Sequence, residues 1–495
     1  MQTPHTPFFP HFHHRLAPMK SRVTAALGNL SQATLLQIED RLGPALEAGL
    51  LDKPSSKAHS RQRIFSLRRI FWSWIWQIYQ TNTSCREVVR QVQALGIVLG
   101  HGHIDEGTSA YCRARQKLPT AVLEKALASS HRRALAQAPA STLLQGRPLK
   151  VVDGSAITVP DSEENRRAFP PSKSQSSKPT FPIMKIVAIF CAASGSILAK
   201  AIGSCQSELR LLMGMGASLA PGDILIGDRH FGCFVLAAWL QDLKIDLLAR
   251  VGTKRRRVDF TQALKVFIGK DALFLWTKPA KISPLLTREQ WKALPTQITV
   301  RIITVRVEQK GFRTTELTVV TTLLEVELYP AQEILHAYLK RWRMEMCLDD
   351  LKTTLGMQML SCRSPELLEK ELLVFLIAHN MLRWMMAQAA SQHEVDLEQI
   401  SFKGTLDTFR QWSAGLVQIH GPGKKIRRVA FWRQFLYTLA ADLLPLRPGR
   451  CEPRAVKKRS KYPPLSSPRA IYVGRPSRGT RRVIATAKKH AAALK

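Results

Sequence analysis

The pattern of apolar and polar positions begins as a helical one. Residues 20–145 show helical periodicity and little strand signal, and residues 61–80 are rich in aromatic side chains with Arg interleaved among them. Thr83 or Ser84 suits the N-cap of the next helix, and Pro119 suits the first turn of a later one. Short, Arg-rich helices joined by tight turns are compatible with a helix-turn-helix DNA reader and equally with an ordinary helical bundle. The pattern predicts the helices and leaves these two interpretations open.

A strand pattern begins at residue 149, where apolar and polar side chains alternate. Ser194-Gly195 then separates two apolar runs and is a typical hairpin turn pair. The predicted elements are, in order, strands over 149–159, 183–190 and 197–204, a helix over 208–219, a short buried strand over 223–229, a helix over 233–243 and a strand over 245–251. This order of elements predicts a mixed α/β layer.

Residues 252–328 interrupt that rhythm. A basic run occupies 254–257, and residues 297–325 have the pattern of two strands turned at Lys310-Gly311. The segment is therefore expected to be a β-rich insertion.

The remainder of the chain is helical and then strongly basic. Helical periodicity resumes at residue 331 and apolar helices continue to residue 444. Residues 447–495 are rich in Lys, Arg and Pro, and Glu452 is their single acidic residue. Such a composition cannot form a core and predicts a basic tail.

The net charge of the chain limits the classes of binding partner that are expected. The chain has 495 residues, 45% of them hydrophobic, and a formal net charge of +36. Its length corresponds to about three domains at roughly 150 residues each, and its composition argues against disorder throughout. An excess of positive charge on this scale most often meets nucleic-acid phosphate, with acidic membrane as the rival partner.

The membrane alternative lacks a spanning segment. A span needs about 18 or more apolar residues without charges. The nearest run, residues 371–390, contains His379, Asn380 and Arg383, so it predicts a buried helix. The N-terminus has no signal-peptide pattern, so a cytoplasmic location is expected.

Neither the cysteines nor the glycines indicate a cofactor. The eight cysteines include no pair at the CxxC spacing of a zinc site, and they are expected to be reduced thiols. The glycine pattern at residues 213–216 lacks the lysine of a phosphate loop, so no nucleotide cofactor is expected.

Two aspartates stand at strand positions where chemistry is plausible. Asp153 lies in the first strand just before a glycine, and Asp228 ends the fourth strand. If these strands are neighbours, the two carboxylates lie side by side, and such a like-charge pair needs cations. Hard oxygen ligands at an open site suit Mg²⁺ or Mn²⁺. Taken singly, an aspartate after a strand is more often a turn or cap residue.

A third carboxylate comes from the helix that begins near residue 330. Tyr338, Arg341, Glu345 and Lys352 are spaced by three, four and seven residues, which places all four on one helical stripe. An acid flanked by two cations and a phenol can add a metal ligand and grip phosphate oxygens around it. The alternative is that Arg341 and Glu345 form an ordinary surface ion pair at i,i+4.

These residues match a known signature. The pattern Y-x2-R-x3-E-x6-K at Tyr338 to Lys352, with D-G-S at Asp153 and G-D-R at Asp228, resembles the DDE transposases of the insertion-sequence 4 family. The resemblance covers residues 145–355 and the flanking helical regions. It implies an α/β fold with a ribonuclease H-like catalytic core and a β-rich insertion between the second Asp and the Glu. A helical N-terminal domain and a helical C-terminal dimerisation region would flank that core.

With the element pattern, the resemblance divides the chain into six parts. They are a helical DNA-binding domain (1–145), the first part of the core (146–252), the β-rich insertion (253–328), the core helix with the third acid (329–360), a helical C-terminal region (361–446) and the basic tail (447–495).

The resemblance also implies an activity. Asp153, Asp228 and Glu345 would be the catalytic metal ligands for two Mg²⁺ ions, with Mn²⁺ as a substitute, and Tyr338, Arg341 and Lys352 would contact DNA. The expected partners are double-stranded DNA, both terminal inverted repeats and target, and a second copy in the DNA complex. The expected reaction is cut-and-paste transposition through a hairpin end.

Three points stay open. A metal nuclease of the same fold that does not join strands, or an inactive DNA-binding remnant, would share most of these features. Relatives often use an aromatic of the insertion to stack on a flipped base, and Trp276, Trp291 and Phe312 lie in this insertion. None of the three matches a position to which that role can be assigned.

Overall fold

The computed structural model describes residues 38–39, 41–52, 64–80, 83–98, 104–139, 143–170, 181–204, 207–251, 258–306, 316–418 and 425–445. The predicted turn at Lys310-Gly311, Phe312, the basic run 254–257 and the basic tail lie outside these residues. In the described ranges, nine strands form one sheet with helices on both faces, a mixed α/β architecture.

The strands are β1 (Leu149–Thr158), β2 (Ile183–Cys191), β3 (Ile197–Gly203), β4 (Ile224–Gly227), β5 (Asp246–Arg250), β6 (Lys265–Val266), β7 (Asp271–Thr277), β8 (Gln297–Arg306) and β9 (Glu316–Thr321). The helices are α1 (Leu67–Tyr79), α2 (Cys85–Val98), α3 (Ser109–Lys117), α4 (Thr120–Leu135), α5 (Glu163–Ala168), α6 (Glu208–Met213), α7 (Phe234–Asp242), α8 (Arg288–Ala293), α9 (Ala331–Asp349), α10 (Pro365–His393), α11 (Phe402–Gln418) and α12 (Lys425–Ala441).

The sheet has the order β3-β2-β1-β4-β5-β9-β8-β7-β6. Strands β1, β4 and β5 are parallel to one another, and the other neighbouring pairs are antiparallel. The predicted β2–β3 hairpin is present, and Gly195 at its turn has φ 68°, a conformation that favours glycine. Each of the five strands predicted between residues 149 and 251 is confirmed within a few residues.

The strands after β5 extend the same sheet. β9 pairs with β5, and β8 and β9 form the strand pair that the sequence predicted. β6 and β7, which the sequence did not predict, continue the sheet to its edge. A short helix, α5, also lies in the segment between β1 and β2.

Alternation along the central strands produces two separate cores. Val151, Ile226 and Leu248 point to one side of the sheet, here named face A, where α1, α4, α9 and α10 pack. Val152 and Leu225 point to the opposite side, face B, against α6 and α7. The helices that precede β1 therefore share one continuous core with face A of the sheet.

Helix α10 is the central element of face A. It is long and apolar enough to cross a membrane, but 94% of its most apolar window is buried inside the protein. The interpretation of residues 371–390 as a buried helix is thus confirmed. Asn380 on α10 accepts a hydrogen bond from the backbone N–H of Ile197 (2.7 Å) and donates to the Ile197 carbonyl (2.9 Å) and to Ser130 of α4 (3.3 Å). One buried amide thus joins α10 to the β3 edge and to α4.

Candidate active site

Strand register brings the two aspartates together. Val151 of β1 pairs with Ile226 of β4, and both side chains lie in the face A core. Two residues further along each strand are Asp153 and Asp228. Since side chains in a strand alternate with a period of two, both carboxylates lie on face A, with Asp153 inside β1 and Asp228 directly after β4. The adjacency that the sequence analysis required is present.

Asp153 has an unusual electrostatic environment. Its Oδ1 accepts a hydrogen bond from the backbone N–H of Gly154 (2.9 Å). The pKa of Asp153 is raised to about 6, chiefly by burial and also by the nearby carboxylates of Glu345 and Asp228, against the opposing effects of the Gly154 N–H and of Arg341. The acids are therefore close enough to repel one another, a repulsion that a bound cation would relieve.

Asp228 is held in a tight turn after β4. Its Oδ1 accepts from the backbone N–H of His230 (2.7 Å), and its carbonyl accepts from the N–H of Phe231 (3.1 Å). A Cβ atom at Gly227 would lie 2.7 Å from the Phe231 side chain. The glycine of the G-D-R motif is thus required because Phe231 folds back against β4 to form the turn.

The β-rich segment determines where α9 begins. Arg301 of β8 is fully buried and donates to both carboxylate oxygens of Asp271 (2.8 and 2.5 Å) and to the carbonyl of Tyr329 (2.7 Å). Tyr329 directly precedes Pro330, the N-cap of α9. The buried guanidinium therefore ties the entry of α9 to β7 and β8.

Helix α9 lies across the ends of β1, β4 and β5. Tyr338 and Arg341 face the sheet, with 1% and 7% of their surface exposed. Arg341 Nη1 donates to Glu345 Oε1 (2.6 Å), and the exposed fractions of the two side chains are 9% and 50%. The ion pair that the sequence left as an alternative is formed, but it lies beside Asp153, and its cation is buried.

Two polar atoms on this face have unused hydrogen-bonding capacity. The Tyr338 hydroxyl and Arg341 Nε are buried and make no well-formed hydrogen bond to the described residues. Burial raises the pKa of Tyr338, so its phenol remains a donor at neutral pH. Buried donors without partners are costly, and here both lie next to the carboxylates, where a ligand with acceptor oxygens would satisfy them.

Lys352 departs from the predicted stripe. The α-helical pattern ends at Asp349, and Asp350–Thr354 form a π-helical turn in which the N–H of Leu355 donates to the Asp350 carbonyl (2.9 Å). A π turn changes the angle per residue, so the spacing of seven no longer places Lys352 directly in line with Glu345. The helix thus brings three of the four signature residues onto one stripe, and Lys352 lies in the turn beyond it.

The structure adds Arg250, which the sequence analysis did not identify. Ile226 pairs with Leu248 across β4 and β5, so the register places Arg250 beside Asp228 at the next strand end. Its charge also acts on the Tyr338 phenol. The signal in the sequence was an arginine at the end of a predicted strand, but its importance depends on the neighbouring strand.

The described residues offer oxygen donors for a cation, but these donors do not form a complete metal site. Among the described residues, no group of three or more His, Cys, Asp or Glu side chains converges closely enough to hold a metal ion. Asp153 and Asp228 supply the hard oxygen donors that Mg²⁺ prefers, whereas Glu345 is bound by Arg341. Asp153 and Asp228 therefore suit a divalent cation by their chemistry, and Glu345 is held in its ion pair with Arg341.

The insertion aromatics lie in different environments. Trp291 is 7% exposed and belongs to the face B core, whereas Trp276 on β7 is only partly buried. The structure does not bring either into the Asp153–Asp228 site.

The chain is similar to known transposases. The family model for the transposase DDE domain matches residues 144–381, which contain all three acids. The chain is 25% identical over 438 residues to the transposase InsG for insertion sequence element IS4 of Escherichia coli (strain K12), a match that covers 87% of this chain and 93% of that protein. A solved piggyBac transposase synaptic complex with hairpin DNA is 9% identical with a TM-score of 0.37 over 88% of each chain, a likeness too slight to carry an argument.

The match of residues 144–381 to the transposase DDE domain supports a DDE transposase. More particularly, the match to InsG over most of the chain supports a transposase of the insertion-sequence 4 family.

Proposed function

We propose that the protein is an active transposase that binds the terminal inverted repeats of an insertion sequence, cuts the DNA and joins it to a target. The observation that carries this proposal is the alignment of Asp153 and Asp228 on the neighbouring parallel strands β1 and β4, close to Glu345 of α9. The sheet order β3-β2-β1-β4-β5 supports a ribonuclease H-like core, with β6 to β9 as the insertion.

The three carboxylates are the proposed metal ligands. Asp153, Asp228 and Glu345 would hold two Mg²⁺ ions, and Mn²⁺ would replace them. Such ions, when bound, lower the pKa of an attacking water or hydroxyl and stabilise the leaving oxygen at phosphorus. Because the energy of joining comes from exchange of phosphodiester bonds, the reaction needs no nucleotide cofactor.

The cations and the phenol would position the DNA strand. Arg341 can present a forked pair of donors to a phosphate, and Tyr338 can donate one further hydrogen bond. Lys352 and Arg250 would supply point charges on either side of this pair. Arg341 Nε and the Tyr338 hydroxyl are already removed from water. A phosphate that binds them therefore satisfies both donors without any further desolvation of these two protein groups.

Arg341 and Glu345 would exchange partners when DNA binds. In the free protein the guanidinium holds the third carboxylate at 2.6 Å. A phosphate that takes over the guanidinium releases Glu345 to join Asp153 and Asp228. Metal binding and DNA binding would then favour each other, since each removes one member of the ion pair.

The remaining parts of the chain have proposed roles in recognition. The helices before residue 145 would contact the terminal repeats, the C-terminal helices would join two copies in the DNA complex, and the basic tail would add non-specific affinity for phosphate. The net charge of +36 supports an extensive DNA interface in a cytoplasmic protein.

The test follows a labelled duplex that carries the inverted repeat flanking the coding sequence. With Mg²⁺ and a plasmid target, we expect a nick, then a hairpin end, then a joined product, each resolved on denaturing gels. Nicks without joining would replace the proposal with a non-joining nuclease. Specific binding without any cleavage would identify an inactive remnant.

A further inference from the structure

Arg115 is a buried cation with no acidic partner among the residues that the structure describes. It lies on α3 with 8% of its surface exposed, and its Nε is buried without a hydrogen bond to the described residues. The guanidinium carbon lies 5.1 Å from the ring centroids of both Trp74 and Tyr111. In the described part of the chain no carboxylate forms an ion pair with it. Buried guanidinium groups are nearly always paired with an anion, so this one requires an explanation.

Two cysteine sulfurs lie beside the Arg115 guanidinium, where a carboxylate would be expected. Arg115 Nη2 lies 3.4 Å from Cys85 Sγ and 3.8 Å from Cys112 Sγ. Both cysteines are free thiols and only partly buried, so small oxidants can reach them. Because one nitrogen contacts both sulfurs, the two thiols are neighbours although 27 residues separate them in the chain.

The backbone adds a second influence on Cys85. This residue is the first of α2, and Ser84 before it forms a reciprocal cap with Glu87. The N-terminus of a helix of this length favours a negative charge on the residue that begins it. Gln77 orders the surroundings, since its Nε2 lies 4.0 Å from Cys85 Sγ and its Oε1 accepts from the Tyr111 hydroxyl at 2.7 Å.

We propose that Cys85 and Cys112 form a redox-active dithiol, which peroxides convert to an intramolecular disulfide, and that Arg115 holds the reacting thiolate. In the balanced reaction one peroxide molecule accepts two electrons and two protons from the two thiols. One sulfur–sulfur bond forms, the peroxide oxygen–oxygen bond breaks, and two molecules of water (or water and an alcohol) leave. The site is separate from the carboxylates and does not depend on the proposed reaction.

Cys362 is the rival partner for either thiol. Its charge would also act on Arg115, but the side chain is 5% exposed and both burial and the carboxylate of Glu371 raise the pKa of its thiol. The greater exposure of Cys85 and Cys112 therefore favours a disulfide between these two cysteines. Burial also raises the pKa of Cys85, against the opposing effect of Arg115, so oxidation is expected to accelerate from neutral to alkaline pH.

The test treats the full-length protein with hydrogen peroxide and maps disulfide-linked peptides by mass spectrometry without reduction. The expected product is a Cys85–Cys112 link that dithiothreitol reverses. Cys85→Ser and Cys112→Ser should each abolish the link and leave the other thiol as a sulfenic acid that dimedone traps. A link to Cys362, or oxidation of the pair no faster than that of buried Cys191, would overturn the proposal.

The role of Arg115 needs its own variants, because its removal affects packing. Arg115→Met is expected to slow disulfide formation about tenfold, and Arg115→Lys should restore part of the rate because the positive charge remains. Thermal unfolding checks that both variants fold. If Arg115→Met is unfolded, the rate of Arg115→Lys relative to wild type decides, and an unchanged rate in that variant contradicts the role of the guanidinium.

Discussion

At the scale of single residues, the ionised carboxylate of Asp153 lowers the stability of the folded protein. The carboxyl is desolvated and lies beside two other acids, and these effects raise its pKa to about 6 from an ordinary value of 3.8. Above that pH the folded protein carries a buried charge that the unfolded chain would leave in water. The ionised form therefore disfavours folding, and the proposed role as a metal ligand requires that form.

We expect Asp153→Asn to stabilise the free protein. A group whose folded pKa is raised destabilises the fold above that pKa, and the cost disappears as the pH falls below the unfolded value. The free energy of unfolding of the variant should therefore exceed that of wild type at pH 8 by on the order of 1 kcal/mol, with a smaller difference at pH 5. Thermal unfolding at both pH values measures this, and a variant less stable than wild type at pH 8 would contradict the electrostatic account.

Arg341 should control access of metal to the third acid. If its ion pair holds Glu345 away from the aspartates, Arg341→Ala will bind Mn²⁺ more tightly than wild type in the absence of DNA, as measured by calorimetry. The matched control is Arg343→Ala on the same helix, where the arginine pairs instead with Glu398. Equal Mn²⁺ affinity in wild type and Arg341→Ala would mean that Glu345 is not sequestered.

Residue spacing predicted part of this site and missed part for a physical reason. Tyr338, Arg341 and Glu345 share a helix, so 3.6-residue periodicity was enough to align them. Lys352 departs because a π turn, which depends on how the helix end packs, changes the phase. Arg250 could not be identified because its position beside Asp228 depends on the register between β4 and β5.

At the scale of elements, glycines determine how closely the turns approach the strands. Gly227 directly precedes Asp228 and Gly154 directly follows Asp153, but the surroundings of the two glycines differ. A Cβ at Gly227 would meet the Phe231 side chain at 2.7 Å, whereas at Gly154 it would meet the carboxylate end of Glu208 at 2.5 to 2.8 Å. Phe231 is buried and has nowhere to move, but Glu208 is only partly buried and flexible.

Gly227→Ala is therefore expected to destabilise the protein by about 1–3 kcal/mol and to displace Asp228. Gly154→Ala should cost much less, because the Glu208 side chain can swing toward solvent. Midpoints of thermal unfolding compare the two variants. Similar losses in both would show that the Phe231 turn is not the rigid element described.

The same scale explains which elements the sequence predicted. The strands from β1 to β5 are apolar runs bounded by turn residues, and these local features suffice to predict them. Strand β7 begins with Asp271, a residue unfavourable in strands, whose carboxylate is paired with buried Arg301 from β8. No local pattern shows that partnership, so β6 and β7 were not predicted.

For the whole molecule, three distant segments of the chain contribute acids to face A of the sheet. Asp153 comes from β1, Asp228 from the turn after β4 and Glu345 from α9, whose start is fixed by the added strands of the sheet. The parallel pairing of β1 with β4 brings the two aspartates side by side. We propose that these three acids act together on DNA.

The most direct test measures cleavage and DNA binding in the same set of variants. Asp153→Asn, Asp228→Asn and Glu345→Gln remove one carboxylate each at nearly constant volume, and Asp161→Asn is the control for an acid close in sequence. With terminal-repeat DNA and Mg²⁺, we expect each of the three to lose cleavage by orders of magnitude while binding DNA as wild type does, and Asp161→Asn to cleave normally. Cleavage near the wild-type rate by any one of the three variants would contradict the account.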